Sequence, residues 1–248
     1  ARAVLLHGSP GDGRAFARVS KHLRPGQALI MPDLPGNGAS DPVRSRGEPP
    51  TRAVGAVMAE LLDASAEPAW LVGHSHGGNV AVHAAIARPE KVRGLILLEP
   101  VLMRALALTG DNAALEDARA HLLAFADSAD ARVPDAIALM FDYWFGAGAF
   151  QRLPAPLRDY LNAGAGRCAA DVRAVFADDL GALELAAITC PVTVVHGAAS
   201  RPVARAIAES IQRLLPHARV APLAGANHGM LDSHPEAIAR IIEAQTGG

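Results

Sequence analysis

A serine set among glycines and histidines, Gly73-His74-Ser75-His76-Gly77-Gly78, is the part of the chain best suited to chemistry. An apolar run, Ala69-Trp-Leu-Val72, leads into it, and the helix-like Asn79–Ala87 leads away. Strand, G-x-S-x-G and helix together are the context of a nucleophile elbow, a tight turn that lifts a serine Oγ above a sheet edge. Glycines suit such a turn because they tolerate strained backbone and remove side chains that would shield the serine. The helix that follows points its first N–H groups at the place where an oxyanion would develop. Ser75 is therefore the candidate nucleophile.

A serine hydroxyl needs a base at neutral pH, usually histidine. Among ten histidines, His228 has the right position: Gly225-Ala-Asn-His-Gly229 follows the last apolar run and precedes the last helix-like segment. That loop belongs at the carboxyl edge of a parallel sheet, the edge expected to carry the elbow. Two backbone N–H groups must also face the developing charge. The N–H of His76, directly after the nucleophile, is one candidate. The N–H of Ser9, in the turn His7-Gly-Ser-Pro-Gly11, is the other. His74 and His76 flank Ser75 with side chains turned from its Oγ, and are expected to help line a pocket. A metal site on this pair is disfavoured because no carboxylate or cysteine cluster completes it. His7 is expected to brace its own turn, and His22, His83, His121, His196, His217 and His234 to be ordinary core or surface residues.

These residues need a scaffold, and the alternation of short apolar runs with helix-like segments predicts a parallel sheet with crossover helices. The predicted strands are Ala3–Leu6, Ala28–Met31, Ala69–Val72, Val92–Leu98, Val192–Val195 and Ala218–Leu223. They are continuously apolar, as strands covered on both faces are. Predicted helices fill Arg14–Leu23, Thr51–Ala64, Asn79–Ala87, Pro202–Leu215 and Pro235–Ala244. From Val101 to Ala187 the alternation stops. Helices over Leu115–Ala126, Asp135–Phe145, Pro156–Ala163 and Ala169–Phe176 predict an inserted helical cap, since a structureless loop of that length is rare in a compact domain. The expected division is a core of residues 1–100 and 188–248 with a cap of residues 101–187. The aromatic cluster Met140-Phe-Asp-Tyr-Trp-Phe145 fits both cap packing and pocket lining.

Bulk properties narrow the class. The chain has 248 residues, half of them apolar, and a net charge of −2. That leaves no electrostatic footprint for nucleic acid or a membrane surface, and no apolar run approaches the length of a membrane span. Cys168 and Cys190 fall in no metal-binding or redox pattern. The first seven residues are too short for a signal peptide and enter a strand at once. A cytoplasmic enzyme acting on a small molecule is expected, with a homo-oligomer left open.

Five blocks in order, His7-Gly-Ser-Pro-Gly11, Asp33-Leu-Pro-Gly-Asn-Gly-Ala-Ser40, Gly73-His-Ser-His-Gly77, Pro191-Val-Thr-Val-Val-His-Gly197 and Gly225-Ala-Asn-His228, make the chain resemble an α/β-hydrolase with an inserted cap. The resemblance covers nearly the whole length and implies a mostly parallel, doubly wound sheet. It gives the Asp33–Ser40 block a structural turn and no catalytic role. One departure stands out. Family members most often carry the triad acid as aspartate in a G-x-x-D pattern, but here Gly197-Ala-Ala-Ser200 has serine in that place. Serine cannot form an ionic hydrogen bond to an imidazolium. Glu99, at the end of Val92–Leu98 and beside the nucleophile strand, offers an alternative. Some haloalkane dehalogenases of this fold place a glutamate there, and a buried acid ending an apolar run is costly without a purpose. Asp171, Asp178, Asp179 and Asp232 are weaker candidates. Ser200→Asp is expected to change little if Glu99 already orients His228.

The related dehalogenases and epoxide hydrolases use aspartate at the elbow, whereas Ser75 suits acyl transfer. The expected activity is serine hydrolysis of a small or medium carboxylic ester through Ser75, His228 and Glu99, with Ser9 and His76 N–H groups as the oxyanion hole and no metal or organic cofactor. Lactone, thioester or carbon–carbon bond hydrolysis would run on similar folds. A non-catalytic ligand-binding homologue, with Ser200 marking a lost triad, is the alternative from another class.

Overall fold

The computed structural model describes residues 2–43, 47 and 50–247; the outer bounds of the expected division, Ala1 and Gly248, lie outside them. Strands β1 (Ala3–Leu6), β2 (Leu29–Ile30), β3 (Ala69–His74), β4 (Val92–Leu98), β5 (Val192–Gly197) and β6 (Arg219–Leu223) form one sheet in the order β2-β1-β3-β4-β5-β6. Every neighbouring pair is parallel. Side chains alternate between two cores because successive Cβ atoms leave opposite faces of a strand. Val4, Leu6, Leu71, Leu95, Leu97 and Val194 face helices α2 (Pro50–Asp63), α3 (His76–Ala87) and α10 (Pro202–Leu214). Leu5, Trp70, Val72, Ile96, Leu98 and Val195 face α1 (Ala17–Ser20) and α12 (Pro235–Thr246). Burial on both faces explains the apolar runs of β1, β3, β4 and β5, and each leucine or isoleucine buried this way contributes about 1.5–3 kcal/mol. The edge strands β2 and β6, expected to be covered on both faces, are only partly buried because each has a neighbour on one side alone.

Between β4 and β5 the chain makes six helices: α4 (Met103–Thr109), α5 (Asn112–Asp130), α6 (Ile137–Phe145), α7 (Ala155–Ala163), α8 (Ala165–Phe176) and α9 (Ala182–Ala186). The short helix α11 (Met230–Ser233) follows the His228 loop. Helices α4 and α9 lie outside the sequence-predicted segments. The boundary between α4 and α5 has a local cause: Gly110 takes a left-handed C-cap at φ +76°, and Asp111 caps α5 by accepting from the Ala114 N–H.

The predicted helix Arg14–Leu23 is instead a 3₁₀ turn, Gly13–Phe16, running into the single-turn α1. Two carboxylates account for it. Asp12 accepts from the Arg14 N–H, and Asp33 Oδ1 accepts from the Gly13 N–H at 2.8 Å. These bonds tighten the first turn, and Pro25 disfavours helix just before it. Asp33 Oδ2 also accepts from the Ala39 N–H, so the Asp33–Ser40 block is a self-bonded turn. The backbone bonds from Ala39 and Gly13 hold the Asp33 carboxyl below its ordinary value. Strand β2 is shorter than expected, two residues instead of four.

Candidate active site

Ser75 occupies the turn between β3 and α3 with φ +54° and ψ −122°, a conformation that costs a non-glycine residue about 1–3 kcal/mol. Surrounding bonds hold it there. The Ser75 N–H donates to Leu98 O at 3.0 Å, and Ser75 O accepts from the Gly78 N–H at 2.9 Å. Two glycines make the turn sterically possible. A Cβ on Gly73 would strike Gly77 O, and one on Gly77 would strike Leu6 O on the neighbouring β1. The packing that requires these glycines also brings the His7–Gly11 loop beside Ser75, since Leu6 pairs with Gly73 in the sheet. A Cβ on Gly8 would come within 3.0 Å of Ser75 Cβ.

The sheet order brings the other two groups. Beyond the β4–β5 ladder the Glu99 N–H donates to Val195 O at 2.8 Å, so Glu99 lies beside the end of β5. Gly197 on β5 pairs with Leu223 on β6, and the Ala199 N–H donates to Ala226 O, which draws the Gly225–Gly229 loop alongside. His228 Nδ1 then lies 2.8 Å from Glu99 Oε2, and its Nε2 lies 3.1 Å from Ser75 Oγ. A carboxylate only accepts, so Nδ1 carries the proton and Nε2 is free to accept from the serine. Glu99 is itself at φ +43°. Its Oε1 accepts from the Gly197 N–H at 2.6 Å and from the Ser200 hydroxyl. Burial alone would raise this carboxyl, but the bonds from His228, Ser200 and Gly197 outweigh it and hold the group ionised.

A cavity of about 440 Å³ opens over Ser75 and is lined by Gly8, Ser9, His74, Ser75, His76 and His228 from the core and by residues of α5, α6 and α8. Among the described residues nothing accepts from the backbone N–H of Ser9 or of His76. His7 fixes the Ser9 loop: its Nε2 accepts from the Leu34 N–H at 2.9 Å, which leaves the proton on Nδ1, 2.7 Å from Gly8 O. Burial lowers the His7 pKa, consistent with that neutral tautomer.

Three contacts were not legible in the sequence. Trp144 of α6 stacks on the His228 ring at 4.2 Å and 14°; the aromatic cluster signalled a wall without saying what it covers. His74 Nε2 lies 2.9 Å from His228 O and so braces the His228 loop. Burial, then repulsion from His228, pushes His74 down to about 3. Ser200, noticed as a missing aspartate, donates to Glu99. The weaker acid candidates are engaged elsewhere. Asp171 bonds Ser9 and Arg167, Asp178 bonds His83, Asp179 bonds Arg52 and Asp232 pairs with Arg18. His83, read as ordinary, forms a buried hydrogen bond with Asp178 at 2.9 Å, between α3 and the segment after α8. Among the described residues no group of three or more His, Cys, Asp or Glu side chains could hold a metal ion, and no helix is long and apolar enough to cross a membrane.

A family model described as the alpha/beta hydrolase family matches residues 3–241. The chain belongs to the alpha/beta hydrolase family. This chain is 38% identical over 140 residues to Lipase LipV of Mycobacterium tuberculosis, a match covering 55% of this chain and 50% of the relative. It is 40% identical over 95 residues to the pimeloyl-[acyl-carrier protein] methyl ester esterase of Xanthomonas oryzae pv. oryzae, covering 38% and 35%. The matched region thus spans half or less of each curated relative's length. The fold as a whole is similar to the structure of MenH from S. aureus, with a TM-score of 0.74, 18% identity, and 99% of this chain and 93% of that one covered.

Proposed function

We propose that this hydrolase cleaves a small or medium carboxylic ester through a Ser75–His228–Glu99 triad and an acyl-enzyme intermediate. The observation that carries the reading is the continuous relay from Ser75 Oγ to His228 Nε2, 3.1 Å, and from His228 Nδ1 to Glu99 Oε2, 2.8 Å, under the cavity. Ser75 Oγ attacks the ester carbonyl as His228 takes its proton. The carbonyl oxygen becomes an oxyanion bonded by the N–H groups of Ser9 and His76. The imidazolium formed at this step lies between the Glu99 carboxylate and the face of Trp144, both of which favour its charge. His228 then protonates the departing alkoxide, so an alcohol leaves and Ser75 is acylated. Water, deprotonated by His228, hydrolyses that ester, releases the carboxylic acid and restores Ser75. The chemistry requires no metal or organic cofactor.

The helical segment 101–187 acts in this reading as a cap that shapes the acyl and alcohol sites. The names of the curated relatives, a lipase and a methyl ester esterase, agree with ester hydrolysis. Ser200 does not favour the ligand-binding alternative, because its hydroxyl supports an acid supplied by Glu99. The test is intact-mass analysis after treatment with a fluorophosphonate, in which Ser75 Oγ displaces fluoride from phosphorus. One adduct on the wild type and none on Ser75→Ala is expected. No adduct on the folded wild type, together with no turnover of any ester, would refute the reading.

A further inference from the structure

Directly beside Ser75 the cavity wall turns from apolar to polar. His76 is only 4% exposed and lines the cavity, yet neither of its ring nitrogens has a hydrogen-bond partner. Its Nε2 stands 3.8 Å from Asp171 Oδ1, beyond hydrogen-bond range. Asp171, 4% exposed, reaches into the same wall from α8. Its Oδ2 accepts from the Ser9 hydroxyl at 2.6 Å, and its Oδ1 accepts from Arg167 Nη2 at 2.7 Å. An imidazole buried with two unmet nitrogens is costly, and such a group in a binding cavity expects its partner from the ligand.

We propose that His76 and Asp171 form a polar subsite for a neutral hydroxyl on the acyl part of the substrate, close to its carbonyl. The proposal rests on the ester-hydrolase reading and names the class of ester: hydroxyacyl esters. One oxygen suffices to bridge the two groups. An atom about 2.8 Å from each of His76 Nε2 and Asp171 Oδ1 would make an angle of about 85° between them. A hydroxyl both donates and accepts, so it can give its proton to the carboxylate and accept from the Nε2–H. Burial lowers the His76 pKa, which keeps the ring neutral with one donor and one acceptor nitrogen. A carboxylate ligand would meet Asp171 unfavourably. An ammonium would find its countercharge already engaged by Arg167.

The acyl side follows from the proton path. His228 must reach the leaving oxygen, so the alcohol portion lies towards His228 and the Trp144 and Phe145 rings around it. Ser9 and His76, which bind the carbonyl oxygen in the proposed mechanism, therefore flank the acyl portion. Leu122, Met140, Val172, Val175 and Phe176 line the same cavity and suit the remaining apolar chain.

The experiment compares kcat/KM for methyl butyrate with both enantiomers of methyl 2-hydroxybutyrate and methyl 3-hydroxybutyrate, for the wild type, His76→Leu and Asp171→Asn. At least one hydroxy ester is expected to exceed the plain ester about tenfold or more in the wild type, because loss of the hydroxyl leaves buried polar groups unmet. The ratio should fall towards one in both variants. Each variant carries its own reference in the plain ester, and fluorophosphonate labelling reports whether its active site is intact. No preference in the wild type, or a preference unchanged in both variants, would overturn the subsite while leaving ester hydrolysis standing. Failure of every ester together with absent labelling would refute the hydrolase reading and the subsite with it.

Discussion

Replacing Glu99 by glutamine tests whether the carboxylate sets the His228 tautomer, because the surrounding bonds dictate how the new amide must lie. Glu99 Oε1 accepts from the Gly197 N–H at 2.6 Å, a backbone donor that cannot reverse its direction. In the variant the amide oxygen must keep that bond, since turning the NH₂ group there would set donor against donor. The NH₂ group is then left facing His228 Nδ1, where Oε2 stood at 2.8 Å. Two donors cannot share that contact, so the imidazole moves its proton to Nε2. Nε2 lies 3.1 Å from Ser75 Oγ and now presents a proton instead of a lone pair. The change leaves side-chain volume and most packing intact, yet removes the base. The corresponding change in a Ser-His-Asp protease lowers kcat by about 10⁴. A fall of about 10³–10⁴ is expected here, or about 4–5.5 kcal/mol of transition-state stabilisation. The assay is ester turnover at pH 7.5, with the fluorophosphonate labelling rate as a second readout and urea unfolding to verify the fold. Activity within fivefold of the wild type would refute Glu99 as the group that orients His228.

Ser200→Asp would set a second carboxylate against Glu99 in place of a donating hydroxyl. Like charges raise the carboxyl pKa, so the acid limb of kcat/KM should move to higher pH by a unit or more, while Ser200→Ala should lose only about tenfold. This replaces the expectation that the change is silent, and a gain of activity at pH 7 would identify position 200 as the natural site of the acid. Trp144→Leu removes the ring stacked on His228 and should lower kcat about 3- to 30-fold with little change in KM, as expected for a contact worth about 0.7–2 kcal/mol to the imidazolium; an unchanged kcat would contradict that role. Acid should weaken the fold from near pH 6.5, well above the carboxylate range. His7, His74 and His76 have pKa values below their ordinary 6.5 in the folded chain, His74 at about 3. Between the two values the unfolded chain holds the proton and the folded chain does not, so stability present above pH 6.5 is lost as pH falls. His74 alone accounts for at most about 2 kcal/mol between pH 7 and pH 5. Urea midpoints that stay flat over that interval would contradict the neutral buried histidines.

Features governed by neighbours in the chain were legible. Glycines two residues either side of Ser75 are required by clashes among residues 6, 73 and 77, and an apolar run before them with a helix after them is a local pattern. The same holds for the central strands β1, β3, β4 and β5, which read as apolar runs because both faces are covered. His228 was legible through its place after the last strand. Errors at helix ends had local causes too, as at Asp12, Asp33 and the Gly110–Asp111 cap pair.

Which acid meets His228 was a different kind of question. Glu99 stood ahead of Asp171, Asp178, Asp179 and Asp232 in the sequence because it ends an apolar run beside the nucleophile strand, but no local pattern showed that it reaches His228. Only the order β3-β4-β5-β6 brings the end of β4 against the loop after β6, 129 residues away in sequence. The contacts of Trp144 with His228 and of Ser9 with Asp171 depend in the same way on how the inserted helices fold back over the sheet edge. Periodicity and turn chemistry act over a few residues, so the sequence alone determined the elbow, the strands and the candidate base. Strand order and helix docking are set by the summed packing of the whole core, so only the tertiary structure decided the contact of Glu99 with His228, the ring stacked on His228 and the polar wall beside the serine.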